Sequence, residues 1–472
     1  NLEASGQGSN IDVQADRLQL LDGGIISGAT LGAGDAGSLT VRASEVTIQG
    51  GRFRIETLPN GKMEENVDAS NLETQVTPSG TGRGGDVLVE ADRLLVSDRA
   101  GLASGTFGAG DSGNVTIRAR ESVEVSNAAS IQASVFAPQN SDPPATGNGG
   151  RLEIYTDRLL VANGGNLRVS TAAAGNAGAV FIEARNIEVR GQFELPKLNG
   201  RSRLRTSTLE AISAGGEQAT GGAGDITINT EQLRVTDRGQ ISVSTNNARD
   251  TGNLTIEATD IVLSGQGSGL FAQVADEEAT GNGAELRIET DRLTVLDGAT
   301  ISTLTNGPGN ASPLTIVARE SLILSNQGGI GATTTLPERH NVNGGGGGDG
   351  GDGGDISIST NFLQLIDGAV IATTTKGSGQ AGNINIVTGE IQLSGEELDP
   401  PLDRATRPRL SRIEASTINA IIPKEKMPDV TVIATGGGGD ITIQTDRFVA
   451  TDGGRVRTST ESSGNAGDIA IS

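Results

Sequence analysis

The sequence predicts an all-β chain, a right-handed parallel β-helix of about thirteen coils, on three observations. First, strand-like starts recur in pairs, Ile11 with Leu39, Val87 with Val115, Leu152 with Val180, Ile226 with Leu254, Leu286 with Leu314, Ile356 with Ile384 and Ile441 with Ile469, always 28 residues apart. Second, the gap from one pair to the next varies through 48, 37, 46, 32, 42 and 57 residues. A fixed unit that gains residues at one place per repeat is a solenoid carrying insertions. Third, the apolar residues within each repeat alternate with polar ones, the period of a strand and not of a helix.

The fourth copy, GDITINTEQLRVTDRGQISVST, shows the elements in order: Ile226 and Ile228, then Leu233 and Val235, then Ile241 and Val243. Leu286, Ile288, Leu293, Val295 and Ile301 fill the same slots in the fifth copy, and Leu152, Ile154, Leu159, Val161 and Leu167 in the third. Three short strands per coil are expected, each with two inward residues. Asp22-Gly23-Gly24, Asp297-Gly298, Asp367-Gly368 and Asp452-Gly453-Gly454 lie between them, residue types that supply the positive φ of sharp turns. Coils stacked about 4.8 Å apart give a rod of roughly 60 Å. A propeller would need four antiparallel strands per blade at regular length, which the variable gaps do not offer. Residues 1–472 read as one continuous shaft cut from a longer protein at both ends. Insertions near 51–83, 133–149, 191–221, 270–282, 331–354 and 395–437 are expected along one edge. Their differing sequences suit separate contacts, since loops carry binding more often than scaffold strands do.

Composition narrows the function. Aromatics are 2 % with no Trp, so stacked small and β-branched residues must form the core. The absence of Cys excludes disulfides and thiolate metal sites. A net charge of −22, from 36 basic and 58 acidic residues, argues against general affinity for nucleic acid or anionic lipid. No segment approaches the roughly 20 apolar residues of a membrane span, and none reads as a signal peptide.

GDITINTEQLRVTDRGQISVST, GNLTIEATDIVLSG and the junctions Gly175-Asn176-Ala177-Gly178 and Gly464-Asn465-Ala466-Gly467 resemble the shaft of filamentous-haemagglutinin-type exoproteins, most closely the cyanobacterial group. The resemblance covers essentially the whole chain. It implies two-partner secretion: a rod exported through an outer-membrane partner barrel and then displayed on the cell or released.

Several residues invite chemical roles. Gly344 to Asp355 reads GGGGGDGGDGGD, and its second half matches the opening of a calcium-coil nonapeptide, with Asp349, Asp352 and Asp355 as oxygen donors for Ca²⁺. The motif occurs once, where calcium coils need stacked copies, and a Gly/Asp loop is the simpler account; no other cofactor is implied. Arg201, Arg203 and Arg205, then Arg404, Arg407, Arg409 and Arg412, form two basic clusters suited to acidic neighbouring copies or anionic glycans, or else to internal partners. Asp16, Asp92, Asp157, Asp291 and Asp446 each precede Arg, and a feature present in so many copies reads as architectural where a catalytic site would break the repeat once. His340, the only His, lies in a Gly-rich loop with no nucleophile beside it. Thr/Ser runs such as Ile371–Thr375 and Val456–Thr460 suit hydroxyl ladders between coils better than an ice-binding array.

The expected function is a non-enzymatic, secreted or cell-surface structural rod, a segment of an adhesin or fibre. Its expected partners are other copies of itself and cell-surface or matrix glycans. Two alternatives stand beside it: a passive delivery stalk for a distal toxin or receptor-binding tip, and a polysaccharide-cleaving β-helix enzyme.

Overall fold

The computed structural model describes residues 6–30, 32–57, 63–78, 80–136, 145–198, 201–214, 219–276, 279–334, 351–376, 378–395, 410–422, 430–432 and 434–472. These residues form strands, turns and no helix. The chain divides into two compact units, residues 1–243 and 244–472, built on one plan.

Each coil holds one long strand, a tight turn, one short strand and a glycine-rich return. In the first unit the long strands are Ile11–Leu21, Leu39–Gln49, Val87–Ser97, Val115–Ser126, Leu152–Ala162, Val180–Arg190 and Ile226–Thr236. Consecutive ones pair in parallel, so that Ile11 lies beside Leu39 and Leu39 beside Val87. The short strands, among them Asn71–Val76, Gly101–Thr106 and Ser130–Val135, make a second parallel sheet. The second unit repeats this with long strands Leu254–Ser264, Leu286–Leu296, Leu314–Leu324, Ile356–Leu365, Ile384–Ser394, Ile441–Thr451 and Ile469–Ile471. Its short strands include Gly329–Thr334, Val370–Lys376, Arg412–Ile418 and Arg455–Thr460, again parallel and in register. The fold is a parallel β-helix, with fourteen long and thirteen short strands among the described residues.

Two strands per coil, rather than three, is a correction. Ile226/Ile228 and Leu233/Val235 lie on a single strand, because pairing with the preceding coil runs on through Thr230 and resumes at Gln232. The inward alternation resets there while the backbone stays extended. The interior is as expected: Ile226, Ile228, Leu233, Val235, Ile241 and Val243 are all fully buried.

The turn after most long strands has positive φ at two successive residues, 49° and 93° at Asp22-Gly23 and 50° and 76° at Asn163-Gly164. That is the pattern of a type I′ turn, and the amide two residues further on donates to the carbonyl before it, as Gly24 does to Leu21 at 3.0 Å. Arg99, Ala128, Arg238 and Gln327 hold the second position with φ of 62–69° and no glycine relief.

The glycine-rich return explains much of the glycine content by close approach. A Cβ on Gly382 would lie 2.1 Å from the Gly354 carbonyl oxygen of the preceding coil, and one on Gly113 would lie 2.2 Å from that of Gly85. At this separation backbone amides bond directly from coil to coil: Gly84 to Asp111 at 2.7 Å and Gly353 to Gln380 at 2.8 Å. Inward Thr and Ser hydroxyls cap carbonyls of the same return, Thr373 to Gly382 at 2.6 Å and Ser104 to Gly85 at 2.9 Å. The runs at Ile371–Thr375 and Val456–Thr460 thus serve mainly this cap, as in Thr375 to Gln380 and Thr458 to Gly467, and not the expected ladder between coils.

The insertions are also corrected, for they enter a coil at two connections and not along one edge. The antiparallel hairpins Gly51–Thr57 with Met63–Ala69, and Gln192–Leu198 with Arg201–Thr206, replace the turn after a long strand. The pair Ala420–Ile422 with Val430–Val432 instead follows a short strand. Either connection is a solvent-side corner where added residues leave the stacked strands untouched.

Candidate functional site

Most charged groups on the long-strand faces are engaged between coils. In the first unit Arg17 meets Glu45 at 2.6 Å, Arg93 lies between Glu45 (3.6 Å) and Glu121 (2.6 Å), and Arg120 pairs with Asp92. In the second unit Arg292 bridges Asp260 (2.5 Å) and Glu320 (2.8 Å), and Arg319 meets Asp291 at 3.1 Å. Hydrogen bonding to Asp260 first, then to Glu320, raises the Arg292 pKa, and bonding to Glu121 raises that of Arg93. The Asp-Arg pairs are therefore members of interlocking rows. At Arg120-Glu121 and Arg319-Glu320 a β-bulge re-aims both charges towards the row.

Asp and Asn of the glycine-rich return form ladders of another kind. The Asp111 carboxylate accepts the Asn148 amide at 2.7 Å, the Asn148 side chain accepts that of Asn176 at 3.0 Å, and Asn176 accepts that of Gly222 at 2.9 Å. Asp352 and Asp355, two of the Ca²⁺ candidates, belong to such ladders. Asp352 accepts the Gln380 amide at 2.8 Å and Asp355 that of Asn383 at 2.7 Å. Asp349 lies outside the described residues, and among those described no group of three or more His, Asp or Glu is placed to hold a metal ion.

Arg404, Arg407, Arg409 and His340 also lie outside the described residues, as does the side chain of Arg201. Arg203 and Arg205 sit on the hairpin strand Arg201–Thr206. That hairpin folds back on its own unit: a Cβ on Gly164 would meet Phe193 and the Arg205 carbonyl, and the Arg205 guanidinium donates to the Ala128 carbonyl at 3.3 Å. For Arg205 the internal partner is the one observed.

Arg412 has different company. Strands Val370–Lys376, Arg412–Ile418 and Arg455–Thr460 lie side by side, with Val370 beside Arg412 beside Arg455, and Ala372 beside Glu414 beside Arg457. Alternation sends Ile371, Thr373, Ile413 and Ala415 into the core, so Val370, Arg412, Glu414, Arg455 and Arg457 face outward. They line a furrow with Leu410, Gln327 and Gly368. Leu410 packs on the next turn, where a Cβ on Gly453 would come within 2.7 Å of its Cδ2. The Glu414 carboxylate, mostly covered, takes Arg412 at 2.9 Å and Arg457 at 3.9 Å, while Arg455 has no acidic partner among the described residues. Among the described residues, three guanidiniums against one carboxylate make the furrow positive in a chain of net charge −22. Arg455 and Arg457 were missed from sequence because they fall in no insertion. Aligning SRIEAST with GRVRTST would have found them beside Arg412 and Glu414.

A second furrow, in the first unit, is lined by Arg158, Glu188, Gln232 and Arg234 and holds the Arg158–Glu188 pair at 3.9 Å, so it continues the charged rows. The single Tyr, Tyr155, lies on the same face, 5.7 Å from the Phe181 ring and with the Arg118 guanidinium 5.5 Å from its centroid. No family model matches the chain, and no match was found among curated proteins or solved structures.

Proposed function

We propose that this chain is a non-enzymatic structural shaft, a segment of an extracellular adhesin or fibre of the filamentous-haemagglutinin kind, whose corner insertions and exposed faces make its contacts. The observation that supports this reading is the use made of its reactive groups. Carboxylates and amides that elsewhere serve catalysis or metal binding are engaged here coil by coil, in the Arg/acid rows and in the Asx ladders of both units. A repeat that spends its polar groups on stacking favours stiffness and length over a single reactive centre. Insertions at two connections per coil add contact surface without altering the stack.

The reading is tested by immunoelectron microscopy of cells producing the native protein, with antibody raised against this chain. Label on extended surface structures supports it. Label confined to the cell interior, or a catalytic turnover of glycan by the purified chain, overturns it.

A further inference from the structure

We propose that the furrow over Arg412, Arg455 and Arg457 binds an acidic polysaccharide, a chain of sugars bearing carboxylate or sulfate groups. The choice of ligand rests on the extracellular reading above, and the proposal deepens it by naming what one exposed face would hold.

The first argument is a like-charge pair, Arg412 and Arg455, of which Arg455 has no acidic partner among the described residues. On the long-strand faces the register repeatedly sets Arg beside acid, as Arg17 beside Glu45 and Arg292 beside Asp260, and where it sets Glu257 beside Glu289 the Arg287 and Arg319 guanidiniums hold Glu289. In the furrow it sets Arg412 directly beside Arg455. Like charges opposite one another on neighbouring strands destabilise a sheet, so coil stacking does not account for this pair, and an external anion between them would.

Geometry gives the second argument. Neighbouring strands place Arg412 and Arg455 about 4.8 Å apart, and Arg455 and Arg457 are separated by about 6.6 Å along one strand. The positive groups thus extend in two directions, which suits a polymer with repeated anionic groups better than a single small ion. Guanidinium forks bind carboxylate and sulfate through paired N–H donors. Beside them, Val370 and Leu410 present apolar surface of the sort against which the C–H face of a sugar ring packs.

A second copy of this chain is the less favoured occupant. Many of its acidic groups on the long-strand faces are already held by Arg, and two chains of −22 repel one another at long range. Glu414 is the furrow's own competitor for the guanidiniums, since its carboxylate already holds Arg412 and Arg457.

The test is isothermal titration of the whole chain with polygalacturonate (carboxylate), chondroitin sulfate (sulfate), neutral dextran, poly-glutamate and inorganic sulfate. One or both acidic polysaccharides are expected to bind, and which one does identifies the anionic group; dextran is not expected to bind. Arg455→Ala is expected to weaken binding at least tenfold, and Arg455→Lys by less. Glu414→Gln is expected to strengthen it several-fold, a gain that misfolding cannot produce, while Arg17→Ala leaves it unchanged. Absence of binding to both polysaccharides, binding indifferent to Arg455→Ala and Glu414→Gln, or equal or tighter binding of poly-glutamate or inorganic sulfate would each overturn the proposal. Failure here leaves the shaft reading to the surface microscopy, which does not depend on the furrow.

Discussion

Replacing Gly382 by Ala probes the coil spacing directly. The new Cβ would fall 2.1 Å from the Gly354 carbonyl oxygen and 2.4 Å from its carbon, where real contacts stay beyond 3.0 Å. Both offending atoms are backbone, so the coils must separate locally by about 0.9 Å or more. Four bonds tie the same two coils near this point: Gly353 to Gln380 (2.8 Å), Ile356 to Asn383 (2.8 Å), Gln380 to Asp352 (2.8 Å) and Asn383 to Asp355 (2.7 Å). Such a shift stretches each to about 3.7 Å, beyond hydrogen-bond range. At about 1 kcal/mol apiece the loss comes to roughly 3–4 kcal/mol. Gly331, on the outer face of the short-strand sheet in the same unit, is the control, because its added Cβ meets nothing closer than 3.7 Å. Gly331→Ala should stabilise by roughly 0.5–1 kcal/mol, since the unfolded chain loses freedom. Urea unfolding followed by circular dichroism compares the two variants with the parent. Equal midpoints for Gly382→Ala and Gly331→Ala would refute the close-approach account of the glycine-rich return.

Three further outcomes are expected. Gln327 is exposed with φ of 67°, so Gln327→Gly should stabilise by roughly 0.5–1 kcal/mol in the same urea assay, against the usual cost of glycine. Asn310→Ala removes the acceptor of the Asp352 amide (2.9 Å) and should cost about 0.5–1.5 kcal/mol, with faster hydrogen exchange at that amide. Glu73 has its pKa raised by burial, which outweighs a hydrogen bond with Ser27. The folded state therefore holds this proton more tightly than the unfolded one, and the associated stability, full below the ordinary carboxylate value, is lost as pH rises through the raised one. Glu73→Gln should raise the melting temperature at pH 7 and lose that advantage below the ordinary carboxylate range; a gain independent of pH would contradict the assignment.

Much of the fold was legible because side-chain alternation reports it directly. The 28-residue offset is the register itself, Ile11 beside Leu39 in the first unit and Leu286 beside Leu314 in the second, and Asp-Gly pairs marked the turns. Strand number was misread because inward positions 228 and 233 are five apart, an odd spacing that mimics a break, while the backbone carries on pairing. The edge carrying the insertions was misjudged because gaps were measured between long strands only, which merges the two corners of a coil. The ladders joining Asp111, Asn148 and Asn176 were invisible for another reason: each acts on a residue 28, 37 or 46 positions away, and each looks locally like an ordinary turn residue. Of the candidate Arg residues, Arg412 was found by local clustering, yet Arg455 and Arg457 beside it come from the next coil and required the three-dimensional register.

The most direct test of the stacked, in-register coils is disulfide trapping, which the absence of native Cys makes clean. Thr315 and Ser357 are outward neighbours on adjacent long strands, 42 residues apart in sequence. Parallel pairing puts their Cα atoms about 4.8 Å apart, within disulfide reach, whereas Thr315 and Ser359 are about 8 Å apart. Mild oxidation of the variant with Thr315→Cys and Ser357→Cys should close an intramolecular disulfide rapidly in the folded chain, and that with Thr315→Cys and Ser359→Cys should not. Equal trapping of both pairs, or trapping of the second alone, would contradict the parallel β-helix on which every other inference here stands.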